Sequence, residues 1–355
     1  MKTPASLKER LINLIRTDGP VPISVFMQLA LFDKKQGYYA TRPGLGTDFT
    51  TSPEISQIFG EMLGLWAVHE WRQMGAPASF NLIELGPGRG VMAADIWRAT
   101  QTAPDFQTAA RFILVEASPT LRDIQKEKLA STQVEWADTL VDTPKLPTLI
   151  LSNEMLDCLP IRQFVRKDGH WCERLVGLSD DSQLILGLSN RLAPEDTPSS
   201  LSAALQDEVE FSPALDPFAQ EIGDYLKSRT GRALFIDYGP AKGRPGDTLR
   251  AYRDGAQVDP LSSPAATDIT ADVDFEALVA SAQKHGLDVS GPTPQGWLLN
   301  SLGAVERVNA LMNANPGRAE DIAERARRIM APEEMGERFK AVCLSSKGLP
   351  PPAGF

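Results

Sequence analysis

The stretch FNLIELGPGRGVMAADIWR, Phe80 to Arg98, sets an apolar strand, a glycine-rich turn and the start of a helix in direct succession. Glycines at positions 86, 88 and 90 let the backbone turn sharply after the strand, approach a ligand closely and pack the next helix tightly. A chain built on such a unit is constrained to an open α/β sheet, with a nucleotide-like ligand at the carboxyl end of that strand.

The rest of the pattern agrees with that constraint. Apolar runs bounded by Gly, Pro, Asp and Asn predict buried strands at Phe80–Leu85, Phe112–Glu116, Thr148–Asn153 and Ala233–Asp237, with a short strand at Gln133–Trp136. Helical stretches at Gly90–Ala99 and Pro119–Leu129 alternate with them, which predicts a parallel sheet with helices on both faces. Upstream, Ser24–Phe32 and Ser56–Gln73 read as helices that pack beside the sheet. The second is apolar on several faces, through Ile58, Phe59, Met62, Leu63, Leu65, Trp66 and Val68, so it is either fully buried or the face of a homodimer. Gln163–Ser189 alternates apolar and polar residues across the turns KDG and SDD and reads as a β-ribbon insertion. A solvated loop at 190–200 and a helix at Pro217–Arg229 return the chain to the sheet. The Gly/Pro/charge-rich stretch from Gly239 to Asp272 is too long for a passive connection and is expected to carry function. Helices follow at Asp274–His285, Ala304–Asn313, Ala319–Met330 and Pro332–Lys340. The expected organisation is a helical N-terminal region (1–75), a Rossmann-like core (76–160 and 230–345) and a β-ribbon/helix insertion (161–229).

Composition narrows the function. A net charge of -10 disfavours nucleic acid, whose affinity comes from Lys and Arg displacing condensed counterions, and is compatible with a cationic protein substrate. Cys158, Cys172 and Cys343 are scattered, with no C-x-x-C pair, so neither a disulfide framework nor a zinc site is expected. Histidine is scarce at three residues, and no metal is expected. No segment approaches the roughly 18 consecutive apolar residues of a membrane span, so no integral membrane segment is expected. The opening residues lead straight into an amphipathic helix through Leu7, Leu11, Leu14 and Ile15, without the apolar core of a signal peptide, and a cytoplasmic enzyme is expected.

Two acids sharpen the ligand. Glu116 ends the second strand, where a carboxylate can accept both ribose hydroxyls of a nucleoside, a feature shared with dinucleotide sites. Glu84 sits two residues before Gly86; a carboxylate there repels a pyrophosphate but suits the cationic sulfonium and amino group of S-adenosylmethionine, which favours a methyl donor over NAD. Asp138 follows the short strand and is either an acceptor for the adenine amino group or a solvated loop acid. Asn153 and Glu154 end the fourth strand, the position that faces the transferred methyl in this architecture.

At these residues the chain resembles the MidA-like methyltransferases, the family of the mitochondrial protein arginine methyltransferase that assists assembly of respiratory NADH dehydrogenase. The resemblance runs from about Ile23 to Lys340 and is carried by GYYATRPGLGTDFTTSPEISQIFGEMLG, IELGPGRG, LVEASPTLRDIQ, LSNEMLDCLPIRQF, ALFIDYG, GDTLRAY with DITADVDF, QGWLLNSLG and MGERFK, in the same order. It implies a class I methyltransferase fold in which Gly86, Gly88 and Gly90 cradle the donor and Glu116 holds its ribose. Thr51, heading the family-specific block TSPEIS, joins the donor contacts, and Asn153, Glu154 and Asp157 border the methyl-transfer site. The chain departs from the family at Gly255, where a histidine is usual, and at Pro264-Ala265-Ala266, where Pro-Gly is usual, both on the acceptor side.

Methyl transfer needs a neutral nucleophile held in line with an activated methyl. An arginine acceptor stays protonated at ordinary pH, so carboxylates that fork onto the guanidinium and accept its proton are required. Glu154 and Asp157, three residues apart on one face of a turn, and Glu54 are the candidate catalytic acids. Each has a plainer reading: Glu154 as a first-turn helix acid, Asp157 as an N-cap or a loop ion pair, Glu54 as a helix-start residue after Pro53. Tyr38 and Tyr39 either wall the pocket or pack in the core, and Asp237 and Tyr238 either touch substrate or hold structure. Arg89 reads as a surface ion pair, and His69 and His285 as structural. The expected function is S-adenosylmethionine-dependent methylation of a protein arginine, with an NADH dehydrogenase (complex I) subunit as the implied partner. A non-catalytic assembly factor that binds the cofactor, a methyltransferase for a small molecule, and an NAD-dependent oxidoreductase are the alternatives.

Overall fold

The computed structural model describes residues 5–41, 50–193, 196–198, 201, 206–243 and 246–355. The chain divides into two compact units, one of residues 1–49, 156–215 and 242–274, the other of 50–155, 216–241 and 275–355.

The second unit holds a seven-stranded sheet, whose strands we number along the chain: β1 (Phe80–Leu85), β2 (Ala110–Val115), β3 (Val134–Ala137), β4 (Thr148–Asn153), β5 (Gly231–Tyr238), β6 (Asp288–Pro294) and β7 (Phe339–Ser345). Their spatial order is β6-β7-β5-β4-β1-β2-β3. The five strands from β1 to β5 pair in parallel, and β6 and β7 complete the sheet antiparallel. The sheet is therefore mixed, where the sequence predicted a parallel one, and the expected helix at Pro332–Lys340 is a single π-type turn at Pro332–Gly336 followed by β7. Every residue of β7 is buried, and an apolar run of this length has no periodicity that separates a buried strand from a buried helix.

Side chains alternate across the pleat, so both faces of the sheet are covered. Phe80, Leu82, Phe112, Leu114, Leu149, Leu151, Leu234 and Ile236 join one core with the helices Gln57–Gln73 and Val91–Thr100. On the other face, Phe235 meets Phe218 of the Leu215–Lys227 helix edge-on at 5.3 Å. Ile58, Phe59, Met62, Leu63, Trp66 and Val68 are all buried in the first of these cores, so most of the apolar surface of the Gln57–Gln73 helix is covered within its own unit, while Leu65 is exposed.

In the first unit, the helix Leu7–Asp18 opens with a capping box in which the Glu9 carboxylate accepts the Ser6 N–H at 2.7 Å. Leu7, Leu11 and Ile15 pack with Phe26 and Met27 of the helix Ile23–Phe32 and with Val176, Ala251 and Ile269. The apolar face of that helix is thus buried in a core of its own unit, where the sequence predicts packing beside the large sheet. The ribbon strands Arg162–Lys167, His170–Leu178 and Leu184–Leu188 form a sheet joined by Val21–Pro22 and Glu208–Phe211. The long stretch after Gly239 is no structureless loop either. It contains a three-stranded antiparallel sheet of Arg250–Arg253, Ala256–Val258 and Asp268–Thr270. Residues 194, 195, 199 and 200 of the predicted solvated loop, and 42–49 of the first family-like segment, lie outside the described residues.

Candidate active site

The glycine turn follows β1 directly. Gly86, Gly88 and Gly90 have φ of 64°, 52° and 75°, the left-handed region in which a side chain is strained. A Cβ on Gly86 would sit 3.3 Å from Met155 Cγ, and one on Gly90 3.3 Å from Leu129 Cδ1. The turn is thus held from one side by the segment after β4 and from the other by the Pro119–Lys128 helix. Gly90 is the N-cap of the Val91–Thr100 helix and supplies no side-chain cap, which leaves that terminus polarised toward an anion or a lone pair.

Glu84 is 2% exposed, and its Oε2 has no hydrogen-bond partner. Burial, with Asp95 on the following helix as a secondary cause, pushes its carboxyl well above the usual range. Asn153, at the end of the adjacent β4, donates its amide to Glu154 Oε1 at 2.9 Å and leaves its own Oδ1 buried and unpartnered. Two orphaned acceptors at the carboxyl ends of neighbouring central strands fit the ammonium end of an aminoacyl nucleoside.

Glu116 lies just beyond β2. Its Oε1 accepts the Ser118 N–H at 2.8 Å, and its Oε2 is a long 3.4 Å from Gln125 Nε2. Burial raises the Glu116 carboxyl, opposed by these hydrogen bonds and by Arg122. Gln125, fully buried, also donates to the Gly88 carbonyl at 2.7 Å and accepts the Trp136 indole N–H at 2.8 Å. One amide therefore ties the glycine turn, the ribose acid and β3 together. Its place on the helix predicted at Pro119–Leu129 was the only signal for it in the chain. Asp138 is a different case: three-quarters exposed, it is paired with Arg122 at 2.5 Å, the arrangement of a solvated loop acid.

Glu154 has φ 51°, uncommon outside glycine, asparagine and aspartate. No helix follows β4, so the reading of Glu154 as a first-turn helix acid does not hold. Its N–H bonds to the Ile236 carbonyl at 2.9 Å, and the next N–H, of Met155, is accepted by the buried Asp237 carboxylate at 3.0 Å. That anchoring turns the Glu154 carboxylate to the Ser52 N–H, 3.2 Å away, in the short helix Ser52–Ile55. Thr51 is the N-cap of this helix and makes no side-chain cap bond. Ser52 in turn donates its hydroxyl to Gln295 at 3.3 Å. Glu54, one turn along, pairs with Arg89 of the glycine turn at 3.6 Å. The block TSPEIS is thus tied to the glycine turn by Glu54 and to the end of β4 by Glu154.

Other predicted residues make contacts within their own units. Asp157 belongs to the first unit, where its Oδ2 accepts the Thr270 hydroxyl at 2.8 Å and its carbonyl accepts the Ala271 N–H. Tyr38 and Tyr39 are in that unit too, packed edge-on at 5.2 Å, with Tyr38 fully buried; core packing is their part. Asp237 serves the backbone through Met155 and Tyr238. Sequence reasoning missed Ser52, Gln125, Gln295 and the anchoring use of Asp237, because each acts through a contact formed only by the fold.

Comparison with known proteins bears on this geometry. Residues 62–293 match the family described as S-adenosyl-L-methionine-dependent methyltransferase. The chain is 34% identical to the mitochondrial "protein arginine methyltransferase NDUFAF7 homolog" of Drosophila melanogaster, over 96% of this chain and 84% of that one. It is 33% identical to the mitochondrial protein arginine methyltransferase NDUFAF7 of Homo sapiens, over 94% and 82%. A crystal structure from Burkholderia thailandensis bound to S-adenosyl-homocysteine superposes with a TM-score of 0.84 at 25% identity, covering 100% of this chain and 96% of that one. The cofactor is S-adenosylmethionine, and the chemistry of the acids and glycines above fits it. The cytoplasmic expectation is corrected, because the curated relatives carry a mitochondrial label. Scattered cysteines report on redox state and do not specify a compartment.

Proposed function

The chain belongs to the S-adenosyl-L-methionine-dependent methyltransferase family, and from that premise we propose that it methylates an arginine side chain of a protein, a subunit of respiratory NADH dehydrogenase. Support for an arginine acceptor comes from the relatives named protein arginine methyltransferase and from one local observation. Glu154 is held in a left-handed backbone conformation at the end of β4, and its carboxylate is fixed by the Ser52 N–H and the Asn153 amide.

When bound, S-adenosylmethionine supplies an activated methyl group. Gly86, Gly88, Gly90, Thr51 and Asn153 would line its cradle, Glu116 would take its ribose, and Glu84 its ammonium, while Asp138 stays with Arg122. Glu154 then acts on the acceptor: a carboxylate fixed in advance orients the guanidinium, concentrates lone-pair density on one nitrogen, and takes up the proton released as that nitrogen is alkylated. Glu54, paired with Arg89, keeps a second carboxylate beside the turn. The tie of Asp157 to Thr270 gives it the role of fixing the Asp268–Thr270 strand within its own unit.

Tritiated S-adenosylmethionine with isolated NADH dehydrogenase subunits as acceptors tests the reading. Label is expected in methylarginine with the parent protein and not with Glu154→Gln, while S-adenosyl-homocysteine still binds both. Equal transfer by Glu154→Gln would remove Glu154 from the chemistry, and label on another residue type would remove arginine.

A further inference from the structure

Glu84 is the most unusual ionisable group of the second unit. It lies near the carboxyl end of β1, between Leu114 of β2 and Leu151 of β4 in register, and its Oε2 is buried with no hydrogen-bond partner. The one charged group that acts on it is Asp95, of like sign, on the Val91–Thr100 helix. The cations nearby are committed elsewhere. Arg98 pairs with Asp95 at 2.8 Å and with Glu61 at 3.0 Å, Arg307 pairs with Glu61 at 2.7 Å, and Lys128 acts on Asp95 and not on Glu84. Burial of a carboxylate that leaves one oxygen without a hydrogen bond, with a like charge and no counter-ion acting on it, favours the neutral, protonated form.

We propose that Glu84 carries a proton in the donor-free protein and releases it to solvent when the ammonium of the donor binds beside it. The proposal rests on the reading of Glu84 as a donor contact. Written out, the neutral carboxyl and the incoming ammonium become a carboxylate–ammonium pair, and one proton leaves the site. The pair forms in a setting where it is fully desolvated, and the unpartnered Asn153 Oδ1 on the adjacent strand supplies a second acceptor for the same ammonium. Donor binding thereby becomes a pH-dependent step, tighter as pH rises toward the point at which Glu84 ionises unaided. A ligand that lacks the amino-acid portion has no ammonium to offer and leaves the proton in place.

Calorimetric titration of the full chain with S-adenosyl-homocysteine, repeated in buffers of different ionisation enthalpy, counts the protons exchanged. The parent is expected to release about one proton per ligand bound, with affinity rising about tenfold per pH unit on the acidic side. Glu84→Gln should bind more weakly and release none, and 5′-methylthioadenosine should bind the parent with no proton release. Unchanged affinity in Glu84→Gln would show that Glu84 is not a donor contact. Weakened binding in that variant, with no proton released by the parent, would overturn the proton coupling alone. Release with 5′-methylthioadenosine as well would overturn the assignment to the ammonium. If Glu84→Gln does not fold, the parent's pH dependence set against 5′-methylthioadenosine decides the matter.

Discussion

Removal of the Glu116 carboxylate isolates the nucleoside half of the donor site. Its Oε1 is spent on the Ser118 N–H at 2.8 Å, whereas the 3.4 Å contact of Oε2 with Gln125 is weak enough to leave that oxygen free for ribose. Hydrogen bonds to a charged acceptor are worth about 1.5–3 kcal/mol each, and a ribose diol can make two. Because Glu116 is only part-buried and burial already disfavours its charge, the lower end applies, giving about 3 kcal/mol for Glu116→Ala. At about 1.4 kcal/mol per decade, S-adenosyl-homocysteine should bind roughly 100-fold more weakly. Glu116→Gln keeps one acceptor oxygen and should lose roughly tenfold. Ser118 is also the N-cap of the Pro119–Lys128 helix, and loss of its N–H acceptor should cost about 1 kcal/mol of stability without ligand. Calorimetry for affinity and urea unfolding for stability separate the two effects. Affinity within threefold of the parent for Glu116→Ala, in a protein that stays folded, would refute the assignment of Glu116 to the ribose.

Gly86→Ala forces a side chain into φ 64° with Met155 Cγ 3.3 Å away, and should cost about 1–2 kcal/mol in urea unfolding while weakening donor binding by displacing the segment after β4. Wild-type affinity in Gly86→Ala would mean that the turn does not approach the donor. Arg232 and Glu70 form a fully buried ion pair at 2.8 Å, with Arg232 also donating to Ser345 and to the Pro350 carbonyl; Arg232→Met leaves Glu70 uncompensated and should lower unfolding free energy by about 3–5 kcal/mol. A loss below about 1 kcal/mol would show the pair to be dispensable. Burial raises Glu210 to about 7, against hydrogen bonds from Gln163 and Thr248, so the folded protein binds this proton more tightly than the unfolded chain. Its contribution to stability is present in full below the ordinary glutamate range and is lost as pH rises through about 7. Unfolding free energy measured from pH 4 to 8 should carry this decline, and Glu210→Gln should flatten it; an unchanged slope in the variant would place the ionisation elsewhere.

The two kinds of information in the chain were not equally legible. β1 and β4 fall on the residues predicted for them, because a buried parallel strand is a continuous apolar run closed at both ends by turn residues. β6 and β7 were missed for the opposite reason: β6 is only partly buried and carries Gly291, Pro292 and Pro294, and β7 follows a helical pattern without a break. In the site, the glycines, Glu84 and Glu116 were legible from spacing along one strand-turn-helix unit. Gln125, Ser52 and Gln295 were not, since their partners lie 37, 102 and 243 positions away along the chain. Read from spacing alone, Glu154 and Asp157 share one face of a turn, and spacing could not show that Glu154 is left-handed with no helix after it.

That left-handed residue has a consequence for how the protein responds to selection. Its backbone would be more at ease with glycine, so Glu154→Gly relieves local strain, offset by loss of the acceptor for the Ser52 N–H and by the added freedom of the unfolded chain. The carboxylate is therefore carried against a local thermodynamic preference. Backbone comfort does not hold it there, so a library evolved for stability with activity left unmonitored should accept other residues at position 154.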